Sequence, residues 1–75
     1  TKPRYEWAEL IGMAILSSPN QELRLDQIYG WISGQFSCYN ITESSWKGRI
    51  QQSLGRNHAF DSRPKDKHDY WYIRP

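Results

Sequence analysis

Between Lys47 and Arg56 the chain sets three cations, two glutamines and two glycines close together. At 100° per residue, a helix over this stretch turns Gly48, Gln51, Gln52 and Gly55 to one face, opposite Trp46, Ile50 and Leu54. Arg49 and Arg56, seven residues apart, share one flank, and Lys47 lies on the other. A side-chain amide offers a donor and an acceptor side by side, which suits N6 and N7 of adenine in the major groove. Guanidinium and ammonium groups suit phosphate oxygens, and arginine also suits guanine. Two positions without side chains would let such a helix lie close to its partner, although each glycine costs about 1 kcal/mol of helix stability relative to alanine. The chemistry on offer is base reading by Gly48, Gln51, Gln52 and Gly55, with Lys47, Arg49 and Arg56 on the nucleic-acid backbone. The same polar face also belongs to any solvated helix, and close approach could equally serve a protein partner.

Two further groups of residues fit anion binding. Arg63, Lys65 and Lys67 cluster near a polar turn and could track phosphates, interrupted by Asp66 and Asp69. The plainer reading is an ordinary charged turn. Arg4 and Tyr5 precede a helix whose start, like any helix N-terminus, favours anions, yet Glu6 and Glu9 in its first turn would repel them. Trp7, beside them, is expected in the core. His58 and His68 read as exposed turn residues, and Cys38 as a semi-buried, inert thiol in a turn. No Ser/His/Asp or Cys/His arrangement and no glycine-rich phosphate loop is present, so catalysis is not expected. A single cysteine and two histidines give neither a disulfide nor a zinc set, so neither metal nor cofactor is expected.

The elements that must position these groups can be read from periodicity. Trp7, Leu10, Ile11, Ala14 and Ile15 form an amphipathic stripe, predicting a first helix over 7–17 that ends at Ser17-Ser18-Pro19-Asn20. Pro3 should keep its neighbours extended. Leu23-Arg24-Leu25 reads as a short strand, and Asp26 as the N-cap of a second helix with Ile28, Trp31, Ile32 and Phe36 on its stripe. Gly30 and Gly34 weaken that helix and mark a place where another helix could approach closely. The third helix is expected over about 45–57, capped by Thr42, Ser44 or Ser45. Strands are expected over 59–63 and 70–73, joined by a loop over 64–69. Trp31, Phe36, Trp46, Phe60 and Trp71 are expected in the core, with Tyr29, Tyr39 and Tyr72 semi-buried. Helix, short strand, helix, helix and hairpin is the order of a winged helix, an α+β architecture that leaves the third helix one free face.

Composition agrees with one small domain over 1–75. The chain has 75 residues, 37% hydrophobic and 15% aromatic, so its stability must come from dense aromatic packing. The net charge of +2 is unevenly spread. Residues 1–38 carry Lys2, Arg4 and Arg24 against Glu6, Glu9, Glu22 and Asp26, whereas six cations over 47–67 face only Asp61 and Asp66. A basic half suggests one face that meets an anion. The apolar run from Leu10 to Leu16 is far short of the roughly 20 residues that span a bilayer, so no membrane partner is expected. No signal-peptide pattern opens the sequence, and one lone cysteine fits a reducing, intracellular compartment.

The order and spacing of several motifs resemble the forkhead (winged-helix) DNA-binding domain family. Lys2-Pro3-Arg4-Tyr5-Glu6-Trp7 is similar to the family's opening Lys-Pro-Pro-Tyr-Ser-Tyr, and Leu10-Ile11-Gly12-Met13-Ala14-Ile15 with Ser18-Pro19 to its first helix. Leu23 to Ile32 resembles its Leu-Thr-Leu-Ser-x-Ile-Tyr-x-x-Ile, and Phe60 and Tyr70-Trp71 its wing strands. The family's recognition helix reads Trp-x-Asn-Ser-Ile-Arg-His-Asn-Leu-Ser-Leu-Asn. Here Trp46, Ile50, Leu54 and Asn57 keep its pattern, while the base-reading Asn, Arg and His are replaced by Gly48, Gln51 and Gln52. Arg49 and Gly55 replace its serines, and the wing loop is short. The resemblance implies a nuclear transcription factor that binds double-stranded DNA as a monomer, with the third helix in the major groove, the wing on the backbone and an altered site preference. It places phosphate contacts around Arg4 and Trp7, and leaves the first two helices for any protein partner. The rewritten face supports a second reading, a winged helix that binds a protein or only the DNA backbone.

Overall fold

The computed structural model describes residues 4–75; Lys2 and Pro3, and the extended conformation expected around Pro3, lie outside them. Three helices and a three-stranded antiparallel sheet follow in the order α1 (Trp7–Ser17), β1 (Leu23–Arg24), α2 (Leu25–Gln35), α3 (Lys47–Arg56), β2 (Phe60–Lys65) and β3 (His68–Ile73). The sheet order is β1-β3-β2, so the last strand lies in the middle.

The helical stripes meet in one core. Leu10, Ile11, Ala14 and Ile15 of α1, Ile28 and Ile32 of α2, and Ile50 of α3 are completely buried. Each fully buried aliphatic side chain is worth roughly 1.5–3 kcal/mol relative to an exposed one. The sheet closes one side of this core through Phe60, which pairs with Ile73, and through Leu23 opposite Trp71. At the other side an aromatic cluster gathers on Tyr39. Its ring lies 5.2 Å from Trp7, 5.5 Å from Trp46 and 6.5 Å from Phe36, centroid to centroid. Tyr39 is thus core, only 4% exposed, not semi-buried as expected. Trp31, Phe36 and Trp71 pack against the core from its margin and are only partly buried. Cys38, next to Tyr39, is exposed, because the turn that buries the tyrosine aims its neighbour outward.

The helix ends differ from the sequence expectation for identifiable reasons. Asp26 does not cap α2. The backbone N–H of Arg24 donates to Gln27 Oε1 at 2.9 Å, which starts the helix two residues earlier, at Leu25 with Arg24 as its cap. Asp26 instead takes two hydrogen bonds from the Arg24 guanidinium, at 3.0 and 3.2 Å. Those bonds hold its carboxyl below the usual aspartate range. No hydroxyl caps α3: its first turn is held by backbone bonds from Lys47 N–H to the Ser44 carbonyl and from Arg49 N–H to the Trp46 carbonyl. Gly30 and Gly34 are exposed, and beyond its chain neighbours and its own helix backbone a Cβ built on either would meet no described atom within 4 Å, so no other described helix approaches there.

The hairpin is longer and its loop shorter than the spacing suggested. Pro64 pairs with Asp69 and Lys65 with His68, so only Asp66 and Lys67 form the turn. Both have positive φ, 52° and 66°, as a two-residue turn of the twist-matched kind demands. Pro64 was expected in the loop, but it lies within β2, an edge strand, where a missing N–H is tolerated. His68 is accordingly the first residue of β3, not a turn residue.

Two outcomes are expected. Replacing Asp66-Lys67 by Asn-Gly should raise stability by about 1 kcal/mol, since left-handed backbone is costly for residues with a Cβ; urea unfolding measures it. Burial pushes the Tyr39 hydroxyl above the ordinary tyrosine range, with Cys38 adding to the effect. The unfolded chain therefore ionises first, near pH 10. Tyr39's contribution is whole below that pH and is lost as pH rises through its raised folded value. Melting temperatures at pH 8 and pH 10.5 should fall further in the parent than in Tyr39→Phe.

Candidate nucleic-acid interface

The roll of α3 is set by what it buries. Trp46, Ile50 and Leu54 face the core. The Trp46 indole donates Nε1–H to the Asn40 carbonyl at 2.8 Å. The Asn40 side chain in turn accepts from the Thr42 backbone N–H and hydroxyl at 2.9 and 2.8 Å. The loop entering α3 is stitched to the ring that anchors it. With that side fixed, Gly48, Gln51, Gln52 and Gly55 are all exposed, together with Arg49 and Arg56. Beyond its chain neighbours and its own helix backbone, a Cβ built on Gly48 or Gly55 would meet no described atom within 4 Å, so this face is uncovered by the rest of the described molecule.

Two shallow hollows lie on it. Ser45, Gly48, Arg49 and Gln52 line one; Trp7, Arg49, Gln52, Ser53, Arg56 and Asn57 line the other. The structure therefore brings Gly48, Gln52, Arg49 and Arg56 together and adds Trp7 from the start of α1. Trp7 was expected in the core; it is only partly buried, with one edge on the tyrosine cluster and one on this hollow. Ser45, Ser53 and Asn57 were missed, although their offsets of three and four from Gly48, Arg49 and Ser53 carry the helical signal. Arg56 also sits in the last turn of α3, where a cation complements the helix dipole.

Other expected contacts are engaged within the chain. Gln51 Nε2 donates to the Tyr29 hydroxyl at 2.9 Å, and that hydroxyl reaches the Lys47 carbonyl at 3.5 Å. Lys47 donates its ammonium to the Ile41 carbonyl and lies 5.3 Å from the centre of the Tyr29 ring. Lys47 and Gln51 are thus drawn toward α2, while Gln52 and Arg49 stand clear. In the hairpin, Glu22 takes Lys65 at 3.0 Å and Arg63 at 3.9 Å. Lys67 forms no ion pair with a described residue and stands exposed at the tip. Arg4 is exposed; Tyr5, 48% exposed, rests its ring on Phe36 at 5.9 Å. Neither Tyr29 nor Glu22 could be found from local sequence, because their partners lie 22 and 43 residues away.

A three-helix bundle flanked by an antiparallel hairpin, with one face of the third helix uncovered, is a winged helix. The sequence model of the forkhead domain matches residues 1–75, and the chain belongs to that family, which comprises transcription factors and not enzymes. It is 44% identical over 79 residues to "Forkhead protein sep1" of Schizosaccharomyces pombe, covering 99% of this chain and 12% of that protein. It is 40% identical over 77 residues to "Forkhead transcription factor HCM1" of Saccharomyces cerevisiae, covering 99% and 14%. To "Forkhead box protein I3-A" of Danio rerio it is 37% identical over 79 residues, covering 99% and 22%. The chain thus spans less than a quarter of the length of each of these relatives.

The Tyr29 link is testable. Tyr29→Phe keeps the edge-on contact of the ring with Trp46, at 5.6 Å, but removes the hydroxyl. It should cost about 0.5–1.5 kcal/mol in urea unfolding and shift the Gln51 side-chain amide resonances. Tyr29→Ala, which also loses the ring contact, should cost severalfold more.

Proposed function

We propose that this domain binds double-stranded DNA sequence-specifically, in the nucleus, as the DNA-binding part of a forkhead-type transcription factor. Helix α3 enters the major groove, and the observation that carries this reading is its uncovered outer face flanked by Arg49 and Arg56. A helix on this scale fits the groove, and its outward side chains meet base edges.

In this reading Gln52 is the principal base reader, since its amide is uncommitted among the described hydrogen bonds. Gln51, held through Nε2, offers its Oε1 as an acceptor for an amino group such as adenine N6 or cytosine N4. Gly48 and Gly55 allow close approach to the bases. Arg49 and Arg56 hold phosphates, and Lys67 adds a backbone contact from the hairpin tip. Arg4 and Tyr5, at the approach to α1, and Lys47, Arg63 and Lys65 are secondary backbone contacts, the last three reaching DNA only after exchanging their present partners. The site preference differs from the family's usual one because its Asn, Arg and His readers are replaced by Gly48, Gln51 and Gln52.

The cations already engaged at Ile41 and Glu22 favour a second reading, in which the domain binds a protein or only the DNA backbone. Selection from random duplexes at two salt concentrations separates the two. The first reading expects an enriched motif. Gln52→Ala should relax one base position within it by about 1–3 kcal/mol. Arg56→Ala should weaken all duplexes alike and flatten the salt dependence by about 0.9 in log–log slope. Binding without any enriched motif, or no binding, selects the second reading.

A further inference from the structure

Residues on the outer face of the sheet form a connected set. The register places Tyr70 beside Arg24 on one side and Arg63 on the other, and Tyr72 beside Asp61. Because side chains alternate along a strand, Glu22, Tyr70, Tyr72, Arg63 and Lys65 share this face. Glu22 lies on the β1 side of the central strand, and the two cations start from β2. To reach it they must cross β3, about 10 Å from one edge strand to the other. They do so lying flat: the Arg63 guanidinium is 4.1 Å from the centre of the Tyr72 ring, and the Lys65 ammonium 5.2 Å from that of Tyr70. At the far end Glu22 Oε2 accepts from Lys65 at 3.0 Å, and Oε1 lies 3.9 Å from Arg63 Nε. The Glu22 side chain is only 12% exposed, whereas those of Arg63 and Lys65 are 56% and 49% exposed, so a sheltered carboxylate holds two cations that stand half in solvent.

We propose that Glu22 limits DNA affinity: its carboxylate stands in for a phosphate, holding Arg63 and Lys65 across the sheet so that DNA must displace it to recruit them. The inference rests on the DNA-binding reading above. Exchanging one anion for another gains little, so in the parent protein the hairpin contributes mainly through Lys67. Glu22 is a positioning residue for the two cations, and removing its charge releases both to the DNA backbone. The hydrogen bond from Lys65 also holds that ammonium above the usual lysine range, in keeping with a sustained pairing.

The test is Glu22→Gln, alone and combined with Arg63→Gln/Lys65→Gln, with circular dichroism to verify folding. Duplex affinity of Glu22→Gln should rise about three- to tenfold at low salt, on the scale of one or two exposed ion pairs. The log–log salt slope should steepen by roughly 1–2, one step for each cation released. In the Arg63→Gln/Lys65→Gln background both gains should vanish. Unchanged affinity and slope in Glu22→Gln, or a gain that persists without Arg63 and Lys65, overturns the proposal; the latter would be a mere net-charge effect. Elution from immobilised heparin provides a readout that does not need duplex binding. Glu22→Gln should elute at higher salt only while Arg63 and Lys65 are present. If the parent binds no duplex, the DNA reading fails while heparin still decides the role of Glu22.

Discussion

The indole of Trp46 fixes the direction of the outer face of α3. It is buried at the first turn of α3, bonded to the Asn40 carbonyl and in ring contact with both Tyr39 and Tyr29. A ring so constrained can adopt one orientation, and because it begins α3 it sets the angle at which every later residue of that helix points. Tyr39 extends the constraint to Trp7 at the start of α1 and to Phe36 at the end of α2. Aromatic pairs of this kind contribute about 0.5–1.5 kcal/mol beyond the area they bury. Three helix ends are therefore registered by one cluster, and the outer face of α3 inherits its direction from it.

The same logic explains which parts of the molecule were legible in the sequence. The span of α1 and the inward stripe of α3 follow from periodicity alone, since Leu10, Ile11, Ala14 and Ile15, and then Trp46, Ile50 and Leu54, leave little choice of face. The uncovered face was legible as its complement. Boundaries decided by competing hydrogen bonds were not. Asp26 looked like a cap, but Arg24 claimed its carboxylate and Gln27 supplied the acceptor. The hairpin was underestimated because an Asp-Lys pair does not advertise positive φ, and a proline such as Pro64 is admitted to a strand only where that strand is at the edge. The pairs Gln51–Tyr29 and Glu22–Lys65 depend on tertiary proximity and have no local signature.

Formal charge is a poor guide to this surface. The net excess of cations falls in the second half of the chain, yet several of these groups are spent internally: Lys47 on a loop carbonyl, Arg63 and Lys65 on Glu22, and Arg74 on Asp61 at 3.3 Å. What remains uncompensated among the described residues of this half is concentrated on the outer flank of α3 and at the hairpin tip. The electrostatic footprint is thus narrower than composition implies, and it coincides with the face that the Trp46 cluster turns outward.

The order of strands has a consequence for solubility. One border of the sheet is a two-residue segment, too short to template another chain, and the opposite border carries a residue lacking an amide hydrogen amid charged neighbours. Open borders of β structure invite intermolecular stacking unless they are blunted in these ways. The domain is thereby guarded against fibrous self-association without a second layer to cover the outer side of its sheet.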